Sequence, residues 1–141
     1  MIYMTEKESL KGEEEITALF DLYIKAVLGK KAEDIVLLDL RGLTSLADAF
    51  IICTGMSNRQ VTAIADSIER YLKKAGKKIL SVEGKNEGQW VLLDYGDIII
   101  HVFYDTVRMF YDLEGLWSDA KRINIDSPEK NPLSKPGTVE D

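Results

Sequence analysis

The sequence contains few of the residues that usually mark a metal or redox site. Cys53 is the only cysteine and His101 the only histidine among 141 residues. An internal disulfide is therefore excluded. A zinc site, which draws its ligands mainly from these two residue types, is not expected. The sequence accordingly predicts neither a metal nor a cofactor.

Long apolar runs are also missing. No stretch approaches the roughly 20 residues that a membrane span needs. The start of the chain is acidic and has no apolar core of the kind found in signal peptides. With a single cysteine, these features predict a cytoplasmic protein without a membrane partner. All three prolines fall within 126–141, a polar stretch that we predict to be a disordered tail.

The composition that is present fits one soluble globular domain, with 45% hydrophobic and 30% charged residues. The formal net charge of −6 argues against free nucleic acid as the main partner. The charge is uneven, because residues 83–117 carry a net charge of −5 and residues 57–78 a net charge of +4. The acidic stretch suits a basic protein surface.

A predicted β-hairpin organises the chain. Two apolar runs, Trp90–Leu93 and Ile98–Phe103, flank the break at Tyr95-Gly96. A loop of these two residues would pair Asp94 with Asp97, Leu92 with Ile99 and Trp90 with His101 on one face. The other face would be wholly apolar and would need helices over it. The facing carboxylates would repel each other unless a basic partner compensates, or unless both simply point into water.

The remaining pattern predicts an α/β (α+β) domain with a single mixed sheet of five strands, two long helices and short C-terminal helices. The first helix is predicted from Glu13 to Leu28, and the second begins with a capping box at Ser57 and Gln60. We predict a flexible segment at 1–12, a folded domain at 13–124 and the tail at 125–141. The two long helices cover one face of the sheet well, which leaves the face of Trp90 and His101 as a candidate partner or dimer surface. The other predicted strands are Asp34–Leu40, Asp48–Thr54 and Lys78–Val82.

Two single residues are candidates for chemistry, and both favour a structural interpretation. His101 lies in a strand and has no nucleophile or carboxylate set beside it by spacing, so a structural or interface histidine is favoured over a general base. Cys53 lies within a buried strand, which favours a core thiol.

The turn from Gly55 to Ser57 is the remaining catalytic candidate. A strand, a glycine turn and a helix N-terminus form a natural phosphate site, and the Gly-x-Ser spacing is also found in nucleotidyltransferases. The acidic residues available to such a site are Asp94 and Asp97, which flank a turn instead of alternating along one strand. Helix capping by Ser57 and a tight turn at Gly55 explain the same residues without nucleotide chemistry.

Aromatic and apolar residues with Arg108 among them follow the hairpin. Leu113 and Leu116 favour a core position. Tyr, Trp and Arg are also typical of binding hot spots, so Arg108, Tyr111 and Trp117 remain open between core and contact roles. The cluster comprises Arg108, Met109, Phe110, Tyr111, Leu113, Leu116 and Trp117.

Three stretches together carry a resemblance to a known family. They are DAFIICTGMSNRQVTAIADSI (Asp48–Ile68), GQWVLLDYGDIIIHVF (Gly88–Phe103) and R-x-x-Y-x-L-E-x-L-W (Arg108–Trp117). From Ala32 to Trp117 the chain closely resembles the ribosomal silencing factor family, also called RsfS or Iojap-like.

The resemblance implies a nucleotidyltransferase-like α/β fold without demonstrated transferase chemistry. It implies binding to the large ribosomal subunit through ribosomal protein number fourteen, which blocks joining of the small subunit and represses translation when nutrients are short. It also implies a homodimer when the protein is free, and the basic end of the second long helix is expected near rRNA. We predict no catalytic residues. The predicted partner-binding residues are Trp90, Asp94, Tyr95, Asp97, His101, Arg108, Tyr111 and Trp117.

Overall fold

The computed structural model describes residues 6–125, which form one mixed sheet with helices on both faces. The helices are α1 (Glu6–Leu19), α2 (Asp21–Leu28), α3 (Asn58–Lys74), α4 (Asp105–Tyr111) and α5 (Leu113–Leu116). The strands are β1 (Glu33–Asp39), β2 (Ala49–Gly55), β3 (Ser81–Glu83), β4 (Trp90–Asp94), β5 (Ile98–Tyr104) and β6 (Lys121–Ile125). No helix within these residues is long and apolar enough to cross a membrane.

Within the described residues the sheet has six strands in the order β3-β4-β5-β2-β1-β6, so the predicted count of five was wrong. Only the central β2–β5 pair is parallel. The missing strand, β6, pairs antiparallel with β1 at the sheet edge. Its sequence KRINI is short and half polar, as suits an edge strand, and so it lacks the apolar run that identified the central strands.

The first predicted helix is two helices that meet at Phe20. α1 begins at Glu6, seven residues before the predicted start, and Phe20 leaves helical geometry with φ −109° and ψ 23°. Ile16, Phe20, Ile24 and Val27 are all buried. Their spacing of three and four residues therefore identified most of the buried stripe. Leu19 was also predicted in that stripe, and this was wrong because it is 58% exposed; the break at Phe20 was not predicted.

The second long helix begins as predicted. Ser57 is its N-cap, and the Ser57 Oγ accepts a hydrogen bond of 3.0 Å from the backbone N–H of Gln60. The Gln60 side chain reaches back to the N–H of Met56, one residue before the position that a standard capping box uses. Gly55 has close contact with this helix, because a Cβ added there would lie 2.8 Å from Val61 Cγ2.

The hairpin register differs from the prediction by two positions. Asp94 pairs with Ile99, Leu92 with His101 and Trp90 with Phe103. The loop is Gly96-Asp97, and Gly96 has a φ of +93°, so the glycine occupies the first loop position instead of the second. The predicted repulsion of Asp94 by a facing Asp97 was therefore wrong.

The prediction of which residues share a face was nevertheless confirmed for the strand residues, because a shift of two positions preserves the alternation of side chains; Asp97 lies in the loop instead. Val91, Leu93, Ile98 and Ile100 lie in the core beneath α1, α2 and α3. Ile99 and Phe103 belong to a second core on the opposite face, with Trp90 and Leu92 packed against it. Val107, Leu113 and Trp117, from α4, α5 and the residue after α5, cover part of that second face.

Candidate functional site

Trp90 lies at the centre of an aromatic cluster on the second face of the sheet. Its ring stacks on Phe103, the cross-strand neighbour, with ring centroids 4.8 Å apart and an interplanar angle of 27°. The indole Nε1–H donates a hydrogen bond of 3.0 Å to Nδ1 of His101. Trp90 is half-buried. Its polar edge is therefore satisfied inside the sheet while part of the ring remains accessible.

His101 supports this cluster from below. It is 3% exposed, and burial lowers the pKa of its imidazole to about 3, so the ring is neutral near pH 7. Since Nδ1 accepts the Trp90 hydrogen bond, the ring proton lies on Nε2, which has no hydrogen-bond partner within residues 6–125. The Phe50 ring packs edge-on against it at 4.6 Å. Buried in this way, His101 orients Trp90 and is shielded from a substrate.

An exposed aromatic surface extends from this cluster onto α4. Tyr111 lies 5.0 Å from Trp90, and Phe110 lies 5.1 Å from Tyr111, measured between ring centroids. Phe110 is 80% exposed and Tyr111 53% exposed. We call Trp90, Phe110 and Tyr111 the aromatic ridge. Exposed rings of this kind, held on ordered elements, are typical of protein-binding surfaces.

The sequence analysis did not predict the exposure of three apolar residues in or near the ridge. Met109 and Phe110 were not among the predicted binding residues, although they are 74% and 80% exposed. Leu116 was expected in the core, and this was wrong because it is 75% exposed. Leu113 does pack against the second core, as expected. The phase of this short segment was hard to predict because its buried position is occupied by an arginine.

Arg108 is that buried residue, and it joins α4 to three other elements. Its Nη1 donates to the Asp34 carbonyl oxygen (2.7 Å) and to Thr54 Oγ1 (2.8 Å). Its Nε and Nη2 donate to the two carboxylate oxygens of Glu114 at 3.3 and 2.7 Å. Such a two-point pair fixes the orientation of both side chains. Arg108 therefore positions the ridge from beneath and offers little surface of its own.

The electrostatics of Glu114 reflect the same network. Burial by itself would raise the pKa of the Glu114 carboxyl. The hydrogen bonds and charge of Arg108, with the charge of Arg122 nearby, outweigh burial and lower that pKa overall. Glu114 consequently stays ionised and bound to Arg108 at neutral pH.

The hairpin tip forms a separate acidic site. Asp97 is exposed in the loop, whereas Asp94 is half-buried and its Oδ1 accepts a hydrogen bond of 2.8 Å from the Gly96 N–H. Tyr95 packs on the opposite face, 5.4 Å from the Tyr23 ring, and burial raises the pKa of its phenol to about 12. The structural role of Asp94 therefore leaves Asp97 as the free charge of this pair at the tip.

The structure thus brings together some of the predicted binding residues and separates others. Trp90, His101 and Tyr111 are in contact, and Trp117 joins them through the Phe50 ring at 5.9 Å. Asp94 lies at the other end of β4, four residues and about 13 Å from Trp90, and Asp97 lies in the loop beyond it. The part of each of these residues in partner binding stays a prediction.

The alternative nucleotide site is not assembled. Gly55 pairs with Tyr104 at the end of β5, while Asp97 precedes Ile98 at its start. Six residues of strand, about 20 Å, therefore separate the Gly55–Ser57 turn from Asp97. Cys53 is fully buried and burial raises the pKa of its thiol to about 12, which removes it as a nucleophile at neutral pH. No group of three or more His, Cys, Asp or Glu side chains in residues 6–125 is placed to hold a metal ion.

An α/β domain that exposes aromatic rings and an acidic hairpin tip, and that buries its histidine and cysteine, has features typical of a binding module. Residues 13–140 match the family described as "Ribosomal silencing factor during starvation". The chain belongs to this ribosomal silencing factor family, as the sequence motifs predicted.

Individual relatives show how close the match is. The chain is 41% identical to the ribosomal silencing factor RsfS of Halalkalibacterium halodurans over 108 residues, which cover 77% of this chain and 92% of that protein. It is 46% identical to RsfS of Chromobacterium violaceum over 107 residues, covering 76% and 88%. A crystal structure of a Chromobacterium violaceum protein superimposes with a TM-score of 0.69 at 46% identity, covering 73% of this chain and 86% of that one.

More distant relatives occur in organelles. The chloroplastic protein Iojap of Zea mays is 37% identical over 101 residues. A Mus musculus protein named "Mitochondrial assembly of ribosomal large subunit protein 1" is 27% identical over 101 residues.

Proposed function

We propose that this protein binds the large ribosomal subunit through ribosomal protein number fourteen and blocks joining of the small subunit, so that translation falls when nutrients are short. The aromatic ridge is the observation that carries this proposal, because Phe110 and Tyr111 expose aromatic area while Trp90 and Arg108 hold them in place. Membership of the silencing factor family and the name of the mouse relative support a large-subunit partner.

The charge of the surrounding surface suits a ribosomal protein. Residues 83–117, which include the hairpin and the segment after it, carry a net charge of −5, and Asp97 is exposed at the tip. Ribosomal proteins are generally basic, so their Lys and Arg side chains would be attracted to this region. The contact would combine apolar burial at the ridge with longer-range attraction at the tip.

We further propose that the protein acts by occupancy alone, in the cytoplasm and without catalysis. The affinity for the large subunit then sets the degree of repression. In the free protein the aromatic ridge would be covered by a second copy of the chain, which is the homodimer that the family resemblance implies. We retain the nucleotidyltransferase-like description of the fold as part of this proposal, with β2, the Gly55–Ser57 turn and α3 as the corresponding elements.

Co-sedimentation with purified large subunits tests the proposal. Phe110→Asp places a charge in the apolar contact and should weaken binding by at least about tenfold, as expected for a hot-spot residue. Asp97→Lys should weaken binding most at low salt. It is preferable to a change at Asp94, whose carboxylate also stabilises the hairpin.

Leu19→Asp is the matched control, because Leu19 is also exposed (58%) but lies on α1, against the other face of the sheet. It should bind like the unmodified chain. Wild-type behaviour of Phe110→Asp would remove the ridge as the contact surface. Failure of the unmodified chain to bind large subunits, or to slow subunit joining measured by light scattering, would overturn the proposed function.

A further inference from the structure

A second charged surface lies on the opposite face of the sheet from the aromatic ridge. Five basic side chains occur within nine residues at the end of α3, and all five are exposed. None of the ion pairs found within residues 6–125 uses any of them. Their charges are therefore available to a partner. The five residues are Arg70, Lys73, Lys74, Lys77 and Lys78.

Four of these basic side chains line a cleft at the end of α3. Gly76 adopts a φ of +83°, and the N–H groups of Gly76 and Lys77 bond back to the carbonyls of Lys73 and Leu72 at 3.0 and 2.8 Å. This Schellman arrangement reverses the chain, so the residues after the helix return beside its last turns. The result is a cleft of about 480 Å³ lined by Arg70, Lys73, Lys77 and Lys78, with Ile79 and Tyr95 also at its wall.

The two acidic residues at this cleft are neutralised from within the protein. Asp66 and Glu69 are the only acids in residues 57–78. Lys85, from the loop between β3 and β4, approaches Asp66 at 2.7 Å and Glu69 at 2.6 Å. These hydrogen bonds raise the pKa of the Lys85 ammonium group. The charged side chains that line the cleft sum to +3, and its four free cations have no acidic partner within residues 6–125.

We propose that this cationic cleft binds the phosphate backbone of RNA, and that ribosomal RNA of the large subunit is its occupant. Successive cations on one helix face lie about 5–6 Å apart at their Cβ atoms, so several of them can act on one charged strand. A concentration of positive charge on a protein with a net charge of −6 favours a strongly anionic partner at this place. The identity of the RNA rests on the proposed function, whereas the phosphate chemistry rests only on the cleft.

The position of the cleft is compatible with simultaneous use of the aromatic ridge. Trp90 of the ridge lies on β4, next to the edge strand β3. The cleft is bounded by Ile79, just before β3, and by Tyr95, just after β4. Both surfaces therefore flank the same edge of the sheet, and a partner that wraps around this edge could contact protein on one side and RNA on the other.

Fluorescence anisotropy with a labelled RNA hairpin tests the inference on the full chain. The triple variant Lys73→Gln, Lys77→Gln, Lys78→Gln should bind at least about tenfold more weakly at low salt. The slope of log affinity against log salt should also fall by about 2, since each lost phosphate contact removes about 0.7–0.9 from it. The matched control is Lys7→Gln, Lys11→Gln, Lys31→Gln, which removes the same charge from exposed positions outside this charged surface and should change affinity less than about twofold.

Equal losses in the two triple variants would show that overall charge, not the cleft, binds RNA, and would overturn the inference. Equal affinity of the unmodified chain for polyglutamate would overturn it in favour of an acidic polypeptide. The Phe110→Asp variant should still bind the RNA hairpin, although it should no longer bind large subunits. If the unmodified chain binds large subunits through the ridge but fails to bind the RNA hairpin, that result would overturn this inference and leave the proposed function intact.

Discussion

At the scale of single residues, His101 illustrates how burial determines chemistry. The only histidine in the chain lies beneath Trp90, accepts its indole N–H and is almost completely excluded from water. Burial disfavours the charged imidazolium, which is why the pKa falls to about 3 from an ordinary value of 6.5. The protein therefore holds a neutral histidine as a hydrogen-bond acceptor under an exposed aromatic surface.

The stability of the fold should consequently depend on pH between 5 and 6.5. In this range the unfolded chain binds a proton at His101 and the folded chain does not, so stability is complete above the unfolded pKa and declines as the pH falls. We expect a loss of about 2 kcal/mol from pH 6.5 to pH 5, measured by urea denaturation followed by tryptophan fluorescence.

His101→Gln supplies the control, because the amide oxygen of glutamine can accept the Trp90 hydrogen bond but the side chain does not titrate. This variant should be less stable near pH 7, yet its stability should change little across the same range. The lowered pKa of Glu114 acts below this range, because a carboxyl with a depressed pKa loses its contribution only as the pH falls below about 4.5. Parallel curves for the two proteins would contradict the assignment to His101.

At the scale of secondary-structure elements, Arg108 determines how α4 and α5 sit on the sheet. One guanidinium joins α4 to β2 through Thr54, to the start of β1 through Asp34 and to α5 through Glu114. With Arg108 held in this network, Phe110 and Tyr111 on the same helix are directed toward solvent. The orientation of the aromatic ridge thus depends on a buried polar contact.

Arg108→Met should lower the free energy of unfolding by about 3 kcal/mol, because it leaves Glu114 as a largely buried charge without its partner. The double variant with Glu114→Gln should lose less than the sum of the two single changes, as measured by denaturant unfolding. Arg122→Met is the matched control. Arg122 is 53% exposed and lies 3.6 Å from Glu114, so its loss should change stability by less than about 1 kcal/mol. Additive effects of Arg108 and Glu114 would contradict the coupling.

The elements show where sequence reasoning succeeded. The alternation from Trp90 to Phe103 identified both faces of the hairpin, since alternation is a property of any strand. The register was missed because glycine can occupy either position of a two-residue loop. The observed choice is accompanied by the hydrogen bond from the Gly96 N–H to the Asp94 carboxylate, a local turn contact that the sequence reasoning did not use. β6 was missed because its two isoleucines, Ile123 and Ile125, reach the core only when the strand pairs with β1, which is distant in the sequence.

The candidate site was predictable in part for similar reasons. Family motifs identified Trp90, Tyr111 and Trp117, but a motif does not state which of its residues face solvent. Arg108 belongs to the same motif and is buried. Charged residues are rarely buried without a partner, and its partners Asp34 and Thr54 lie 74 and 54 residues away in the chain. Only the folded arrangement separates the positioning residue from the exposed ones.

At the scale of the whole molecule, one edge of the sheet is completed by a strand from the far end of the described chain. β6 covers one edge of β1, and its residues Ile123 and Ile125 pack against the core beneath α1, α2 and α3. Lys121 Nζ also lies 3.0 Å from Glu13 Oε2 of α1. The far end of the described chain is therefore part of the folded domain.

Truncation tests this conclusion. A chain ending at Ser118 should be less stable than the full chain by about 3 kcal/mol, because it loses β6 and the burial of two isoleucine side chains. A chain ending at Ile125 keeps β6 and should unfold at nearly the same urea concentration as the full chain. Apart from Ile125, which belongs to β6, the predicted tail at 125–141 lies outside the described residues, and this second truncation measures the contribution of 126–141 directly. Equal stability of the Ser118 truncation would contradict a structural role for β6.

The strand order has a consequence for the protein while it is being synthesised. Asp39, the last residue of β1, and Lys121, the first of β6, are separated by 82 positions. At about 5–20 residues per second, roughly 4 to 16 s pass between the synthesis of these two residues. During that time the hydrophobic β1 has an open edge, which is the kind of edge that recruits strands from other chains. Slower translation lengthens this exposure, and the nascent chain is then more prone to aggregate.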